Sequence, residues 1–411
     1  MRTNYSKVIS CKLEHVAQEI VFKPSSTHSV MGENLNVGVF TGSNISTFGG
    51  GERYAIELSN ELFKRGFNVT IFTQSSGRVS NMALEEILKI CDVNIKKYAS
   101  IYTRVTPTIP FFNFRQFQDL NCIYNMDESI FTNVLLQLYS KLKKKKYVYG
   151  MHIPRSFLFG NESAENKIKR KLWKFYRIPL IAFFKAYVEI IHVINNEQKL
   201  ALSALGFRNS IHLIPDFVTK APREVDNYEK EFIVIFTGAL NMEIKGIDLL
   251  AEIIKRAIEK NSRLKFVVSG NSGNGYNYIY DLTKRYAGTV SYLGFVSEDE
   301  LEALQKKASL FVFTSRIDSF SLGIVGAQCY GLPCVAFNIS GPRDILTESF
   351  QGKVVSKFET DVFVQEILNY YDLWNSDKKE YLKIKEKIQN NIYSKIGKDV
   401  IIPKIIKMFS T

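Results

Sequence analysis

Cysteine is scarce in this chain. Its five residues (Cys11, Cys91, Cys122, Cys329 and Cys334) are odd in number and have no metal-site spacing. Cys329 and Cys334 lie in or beside an apolar run and read as core residues. A disulfide-stapled framework is excluded, and a reducing cytosol fits. No apolar run approaches the roughly 18 to 20 residues of a spanning helix, and the N-terminus has no signal-peptide pattern. A strict D-x-D is missing, so no catalytic metal or other cofactor is expected. Nucleic-acid modules are missing too, which makes nucleic acid the least favoured anionic partner.

What is present is a basic excess. Fifty-four Lys and Arg stand against 41 Asp and Glu, a net +13. Such a surface favours nucleotide sugars, lipid phosphates or an anionic membrane. A chain of 411 residues is long for one core, so two domains are expected.

The most informative stretch is Ser309 to Leu346, which reads as strand, loop, helix, strand, loop. Leu310–Phe313 is a short apolar run of buried-strand type. Ser319 or Ser321 caps a helix running to about Tyr330. Gly331 stops that helix, Pro333 follows, and Pro333–Phe337 is a second strand. Ser340-Gly341-Pro342 opens the next loop. A helix start offers unpaired N–H groups to phosphate, and Asp318 just before it can accept hydrogen bonds from sugar hydroxyls. A buried βαβ unit with no ligand fits the same residues.

Upstream, Asn36–Thr41 is a buried strand, followed by a loop ending in Gly49, Gly50 and Gly51 and a helix over Glu52–Leu62. The glycines are consecutive, unlike the dinucleotide fingerprint. Strands follow at Val69–Phe72, Asn121–Tyr124 and Tyr147–Tyr149, with His152 directly after the last. Open α/β sheets place ligands at that end of a strand, and a structural histidine fits as well. Residues 167–188 interleave aromatic with basic residues, and Lys143–Lys146 is a basic run; both a membrane-surface element and a solvated helix face fit. Strands at Glu189–Ile194 and Ile211–Ile214 precede a patternless polar linker, 219–231. The alternation then restarts: Phe232–Phe236 with Thr237-Gly238, Lys245-Gly246 before the helix Ile247–Glu259, Leu264–Val268, Val290–Leu293 and the helix Glu298–Lys307. Residues 100–117 follow no pattern.

Two successive βαβ halves give an α/β class with two Rossmann-like domains facing a central cleft. The expected division is a tail (1–34), an N-terminal domain (35–218), the linker, a C-terminal domain (232–390) and a C-terminal helix (391–411) packing back on the N-terminal domain.

In their order, Gly49–Glu52, His152, Ile214-Pro215-Asp216, Thr237-Gly238 with Lys245-Gly246, Gly294-Phe295-Val296, Asp318–Leu322 and Tyr330–Pro333 resemble the retaining GT-B glycosyltransferases of family 4, or group 1. The resemblance runs from about Asn36 to the C-terminus. It implies an acceptor-binding N-terminal domain, a donor-binding C-terminal domain and roles for matched residues. Lys245 corresponds to the lysine on the donor diphosphate. Asp318 stands where the family has the first of two glutamates separated by seven residues, in contact with the transferred sugar. Phe320, Ser321 and Leu322 match the helix start whose amides touch sugar and phosphates, and Gly238 joins this donor-binding set. Gly50 and Gly51 match the loop at the reaction centre, and His152 a histidine beside the transferred sugar.

Three departures stand out: Ala239 replaces an arginine, Gly326 replaces the second glutamate, and Asp318 is the shorter carboxylate. Arg316 and Arg343 flank the stretch and are candidates to replace the missing cation. The implied activity is retaining transfer from a UDP- or GDP-linked sugar to a glycan or lipid-linked acceptor, with domain closure expelling water. The expected location is cytoplasmic, peripheral on the inner membrane face. A degenerate non-catalytic subunit partnering an active transferase, favoured by Ala239 and Gly326, and a sugar-nucleotide epimerase of similar fold remain as alternatives.

Overall fold

The fold is that of a computed structural model describing residues 35–45, 50–75, 91–101, 109–152, 179, 181–207, 210–219, 231–271 and 273–410. The tail before Leu35, Gly49, most of the basic aromatic segment and residues 220–230 of the linker lie outside the described residues. By internal contact the chain forms two compact units, one ending at Gly150 and completed by residues up to Ile191, the other containing Met151, His152 and His192 onward.

The first unit contains β1 (Asn36–Phe40), α1 (Gly50–Phe63), β2 (Asn68–Gln74), β3 (Asn94–Ile101), β4 (Ile109–Phe111), a 3-10 turn (Phe114–Phe117), β5 (Cys122–Asn125), α2 (Ile130–Leu142), β6 (Lys146–Met151) and the start of β7 (Ile190–Val193). The strands lie in the order β4-β3-β2-β1-β5-β6-β7. β1 pairs in parallel with β2 and β5, while β4 joins β3 antiparallel. Ala55, Leu58 and Leu62 are buried on one face of α1, as their helical spacing requires. Strand order reverses between β1 and β5. There Tyr98 Oη donates to Thr41 O (2.9 Å) and Asp127 Oδ2 (3.2 Å). Burial raises the Asp127 carboxyl above its ordinary pKa.

The second unit adds α3 (Asn196–Ala204), β8 (Ser210–Leu213), β9 (Ile233–Thr237), α4 (Met242–Lys245), α5 (Ile247–Lys260), β10 (Lys265–Ser269), α6 (Tyr276–Arg285), β11 (Val290–Tyr292), α7 (Glu298–Lys307), β12 (Leu310–Phe313), α8 (Leu322–Cys329), β13 (Cys334–Phe337), α9 (Ser340–Ile345), β14 (Gly352–Val355), α10 (Thr360–Ser376), α11 (Lys378–Ile396) and α12 (Lys398–Ser410). Its sheet runs β11-β10-β9-β12-β13-β14, parallel throughout. Both faces are covered, which is why these strands read as near-continuous apolar runs. Leu250, Ile254 and Ala257 of α5 pack with Val234 and Phe236 of β9 in one buried cluster. Each fully buried Leu or Ile contributes about 1.5 to 3 kcal/mol. Here the order reverses between β9 and β12. Near the chain end, Val218 N donates to Ile396 O and Lys398 N to Val218 O, both at 2.9 Å.

Three local expectations change. Residues 94–101 and 109–111, in part read as patternless, form β3 and β4. β3 buries only Tyr98 among Asn94–Ser100, so it carries no apolar run. Ser340–Pro342 opens a helix, not a loop; Pro342 stands in its first turn, where a missing N–H matters little. Lys245 ends a one-turn helix of its own, α4. Among the described residues no helix is long and apolar enough to cross a membrane.

Candidate active site

The segment after β12 meets the segment that follows β9. Asp318 organises it. Its Oδ1 accepts from the backbone N–H of Phe320 (3.2 Å) and of Ser321. Its Oδ2 accepts from Lys245 Nζ at 2.9 Å, with the lysine side chain 25% and the aspartate 16% exposed. Ser340 Oγ donates to Asp318 O (2.9 Å). Ser321 is the N-cap of α8, in the left-handed region at φ 62°, but its hydroxyl makes no cap bond. That hydroxyl is buried without a partner among the described residues. The cap expected from a serine hydroxyl is replaced by the Asp318 carboxylate holding the loop just ahead.

Lys245 is set in place by its backbone. Its N–H bonds to Asn241 O (2.9 Å), and its carbonyl accepts from Thr314 Oγ1 (2.9 Å). Gly246 then links α4 to α5 at φ 62°, and a Cβ there would collide with the Thr314 carbonyl, so only glycine fits. Lys245 Nζ also lies 5.4 Å from the centre of the Phe313 ring. Arg316 is committed elsewhere: its guanidinium grips Asp248 through two bonds (2.7 and 2.6 Å) and donates to Met242 O. These bonds from Arg316 hold the Asp248 carboxyl below the ordinary carboxylate range. To reach a ligand, Arg316 would have to leave Asp248. Arg343 pairs with Glu197 at 3.1 Å, both exposed, a contact weak enough to yield to a ligand.

Behind Asp318 lies a buried polar layer in the same unit. Ser319 Oγ donates to His152 O (2.6 Å), and Asn195 Nδ2 donates to Ser319 O (2.8 Å). Asn195 Oδ1 meanwhile caps α3 by accepting from Gln198 N. His152 Nδ1 lies 3.1 Å from Asp216 Oδ1, and the His192 ring packs edge-on at 5.2 Å. His192 Nε2 donates to Ile214 O (2.7 Å), since a carbonyl can only accept. Burial, assisted by His152, pushes the His192 pKa down to about 3. A depressed histidine contributes stability that is full above its unfolded pKa and is lost as pH falls toward the folded value. At pH 5 the loss is about 2 kcal/mol relative to neutral pH. His192→Gln keeps a donor for Ile214 O but does not titrate. Denaturant midpoints at pH 7.5 and 5 should therefore differ less in this variant than in the wild type. Equal differences would show that His192 is not the group responsible.

Family models for "Glycosyltransferase Family 4" and "Glycosyl transferases group 1" match residues 48–220 and 218–390 respectively. The chain belongs to the group 1 glycosyltransferases. It is 25% identical over 298 residues to an uncharacterised 41.2 kDa protein of the Klebsiella pneumoniae cps region, covering 69% of this chain and 77% of that one. It is 24% identical over 279 residues to the Escherichia coli UDP-Gal:alpha-D-GlcNAc-diphosphoundecaprenol alpha-1,3-galactosyltransferase, covering 58% and 70%. The fold matches HepE of Anabaena, solved with UDP and glucose, at a TM-score of 0.66 and 16% identity over 92% of this chain and all of that one. The architecture is GT-B.

In this glycosyltransferase the second unit brings together Lys245, Asp318, Phe320, Ser321 and, through Ser319, His152. The amides of Phe320 and Ser321, expected to face the donor, are held by Asp318. Gly238 sits at the end of β9 with φ 153°. Gly50 and Gly51 open α1 in the other unit, and a Cβ on Gly51 would meet nothing within 4 Å. Sequence reasoning missed Asn195, His192 and the Arg316–Asp248 pair. Asn195 did carry a signal, an N-cap residue with Gln198 three positions on.

Gly326 lies inside α8, where a Cβ would meet only Gln305 Nε2, at 3.4 Å. Gly326→Ala should therefore raise stability by about 0.5 to 1 kcal/mol in chemical denaturation. A loss instead would mean that α8 and α7 pack too tightly there for a methyl group.

Proposed function

We propose that this glycosyltransferase moves a sugar from a UDP- or GDP-linked donor to a glycan or lipid-linked acceptor, with retention at the anomeric carbon. The observation that carries the reading is the Lys245–Asp318 pair at the point where strand order reverses, beside the start of α8. An incoming diphosphate competes with Asp318 for Lys245 Nζ. Release of that contact frees Asp318 Oδ2 to accept a sugar hydroxyl, while the buried Ser321 hydroxyl gains a partner. Negative charge then builds on the leaving diphosphate and is met by the Lys245 cation and the partial positive charge of the helix start. His152 positions Ser319, and through it Asp318.

The solved relative with UDP and glucose and the E. coli relative's diphosphoundecaprenol-linked acceptor support this donor and acceptor class. The reading includes no catalytic metal, because no strict D-x-D is present to hold one; turnover that falls in EDTA would correct it. The test is a thermal-shift screen of UDP, GDP and their sugar conjugates, followed by product analysis of any donor that binds. A bound donor must raise the melting temperature by mass action. No shift with any nucleotide at millimolar concentration would sink the proposal, and an inverted product would remove retention.

A further inference from the structure

Helix α2 is apolar on two faces. One is buried, with Ile130, Leu136 and Tyr139 packed inward. The other carries Phe131, Leu135, Leu138 and Leu142, which recur every three or four residues and so form one line along the helix. Phe131 is 38%, Leu138 40% and Leu142 80% exposed. A surface helix ordinarily presents polar residues there. The stripe ends among Lys141, Lys143 and Lys144, all exposed. From Ile130 to Lys146 the chain has five lysines and no acidic residue. Beside the helix, Phe114, 37% exposed, stacks on Tyr139 at 5.0 Å, and Phe111 on the edge strand β4 is 54% exposed. Arg115 beside them is exposed as well.

We propose that this face docks on an anionic lipid bilayer. Phe111, Phe114, Leu138 and Leu142 enter the headgroup boundary, and Lys141, Lys143, Lys144 and Arg115 meet lipid phosphates. The occupant follows from charge. Bulky apolar side chains flanked by Lys141, Lys143, Lys144 and Arg115, with Asp119 near Tyr139 as an acidic neighbour, make a net cationic rim, which matches a surface that is apolar within and negative outside. The surface stands independently of the sugar-transfer reading. It suits an acceptor that is itself held in a membrane.

The experiment is flotation of the full chain with phosphatidylcholine vesicles, with and without phosphatidylglycerol. The wild type should float with the anionic vesicles at low salt and be released by added salt. Each lysine near such a surface contributes about fivefold in partitioning, so Lys143→Gln with Lys144→Gln should weaken binding about twenty-five-fold. Leu138→Gln with Leu142→Gln should weaken it at every salt concentration. All four side chains are exposed, so melting temperature and donor turnover toward water should stay at wild-type values, which separates failure here from failure of the transfer reading. Wild-type binding by both double variants would overturn the proposal. So would binding lost only on neutralising Lys167, Lys169 and Lys171. A stripe that drives self-association in sedimentation velocity while the wild type ignores anionic vesicles would overturn it too.

Discussion

Lys245→Ala is expected to lower kcat/KM by about a hundred- to a thousandfold while leaving the fold intact. Removal of a preorganised group that meets developing charge typically has this size of effect, because the site cannot reorganise to replace it. The structure explains why the fold should survive. The bonds that place residue 245 are to its backbone N–H and carbonyl, and alanine keeps both. The side chain is a quarter exposed, so its loss leaves no sealed cavity. Arg316 cannot step in while both its arms hold Asp248. The measurement pairs steady-state turnover with a denaturation curve. Near wild-type turnover would remove Lys245 from the diphosphate site.

Asp318 is expected to separate two roles that one carboxylate now performs. In Asp318→Asn the amide oxygen can still accept from the Phe320 and Ser321 N–H groups, so the loop before α8 should hold its shape. The anion facing Lys245, the proposed acceptor for a sugar hydroxyl, is gone, and kcat/KM should fall at least a hundredfold with little change in melting temperature. Asp318→Ala removes both roles and should in addition cost about 1 to 2 kcal/mol of stability, since two amides lose their acceptor. If Asp318→Asn turned over like wild type, the carboxylate would have no part in the chemistry. If Asp318→Ala were as stable as Asp318→Asn, the loop contacts would be incidental.

The legible parts of the sequence were those where burial is two-sided and punctuation is local. β12, α8 and β13 announced themselves because Leu310–Phe313 and Cys334–Phe337 are continuous apolar runs and Gly331 with Pro333 marks the helix end. β3 escaped because its residues are mostly exposed and a one-sided strand at short length has no strong period. α2 escaped for the opposite reason: apolar residues on both of its faces blur the helical repeat. In the site, Lys245 and Asp318 were legible from motif order. Their supports were not, since Asn195 and Ser319 are 124 residues apart and His152 and Ser319 are 167 apart. Nothing local in a sequence encodes a hydrogen bond at that separation. The pairing of Arg316 was hidden for the same reason, because Asp248 lies 68 residues away.

The backbone clamps around Lys245 also bear on how fast a nucleotide can be captured. Asn241, Thr314 and Gly246 fix where the chain runs, and Arg316 ties α4 to the first turn of α5, so the only part that must change partner is a flexible side chain. Rotamer exchange of a partly exposed lysine takes picoseconds to nanoseconds, far faster than diffusion delivers a ligand at micromolar concentration. Capture of the diphosphate by the second unit should then appear in stopped-flow traces as a single phase whose rate rises linearly with nucleotide concentration, with no plateau from a slow opening step.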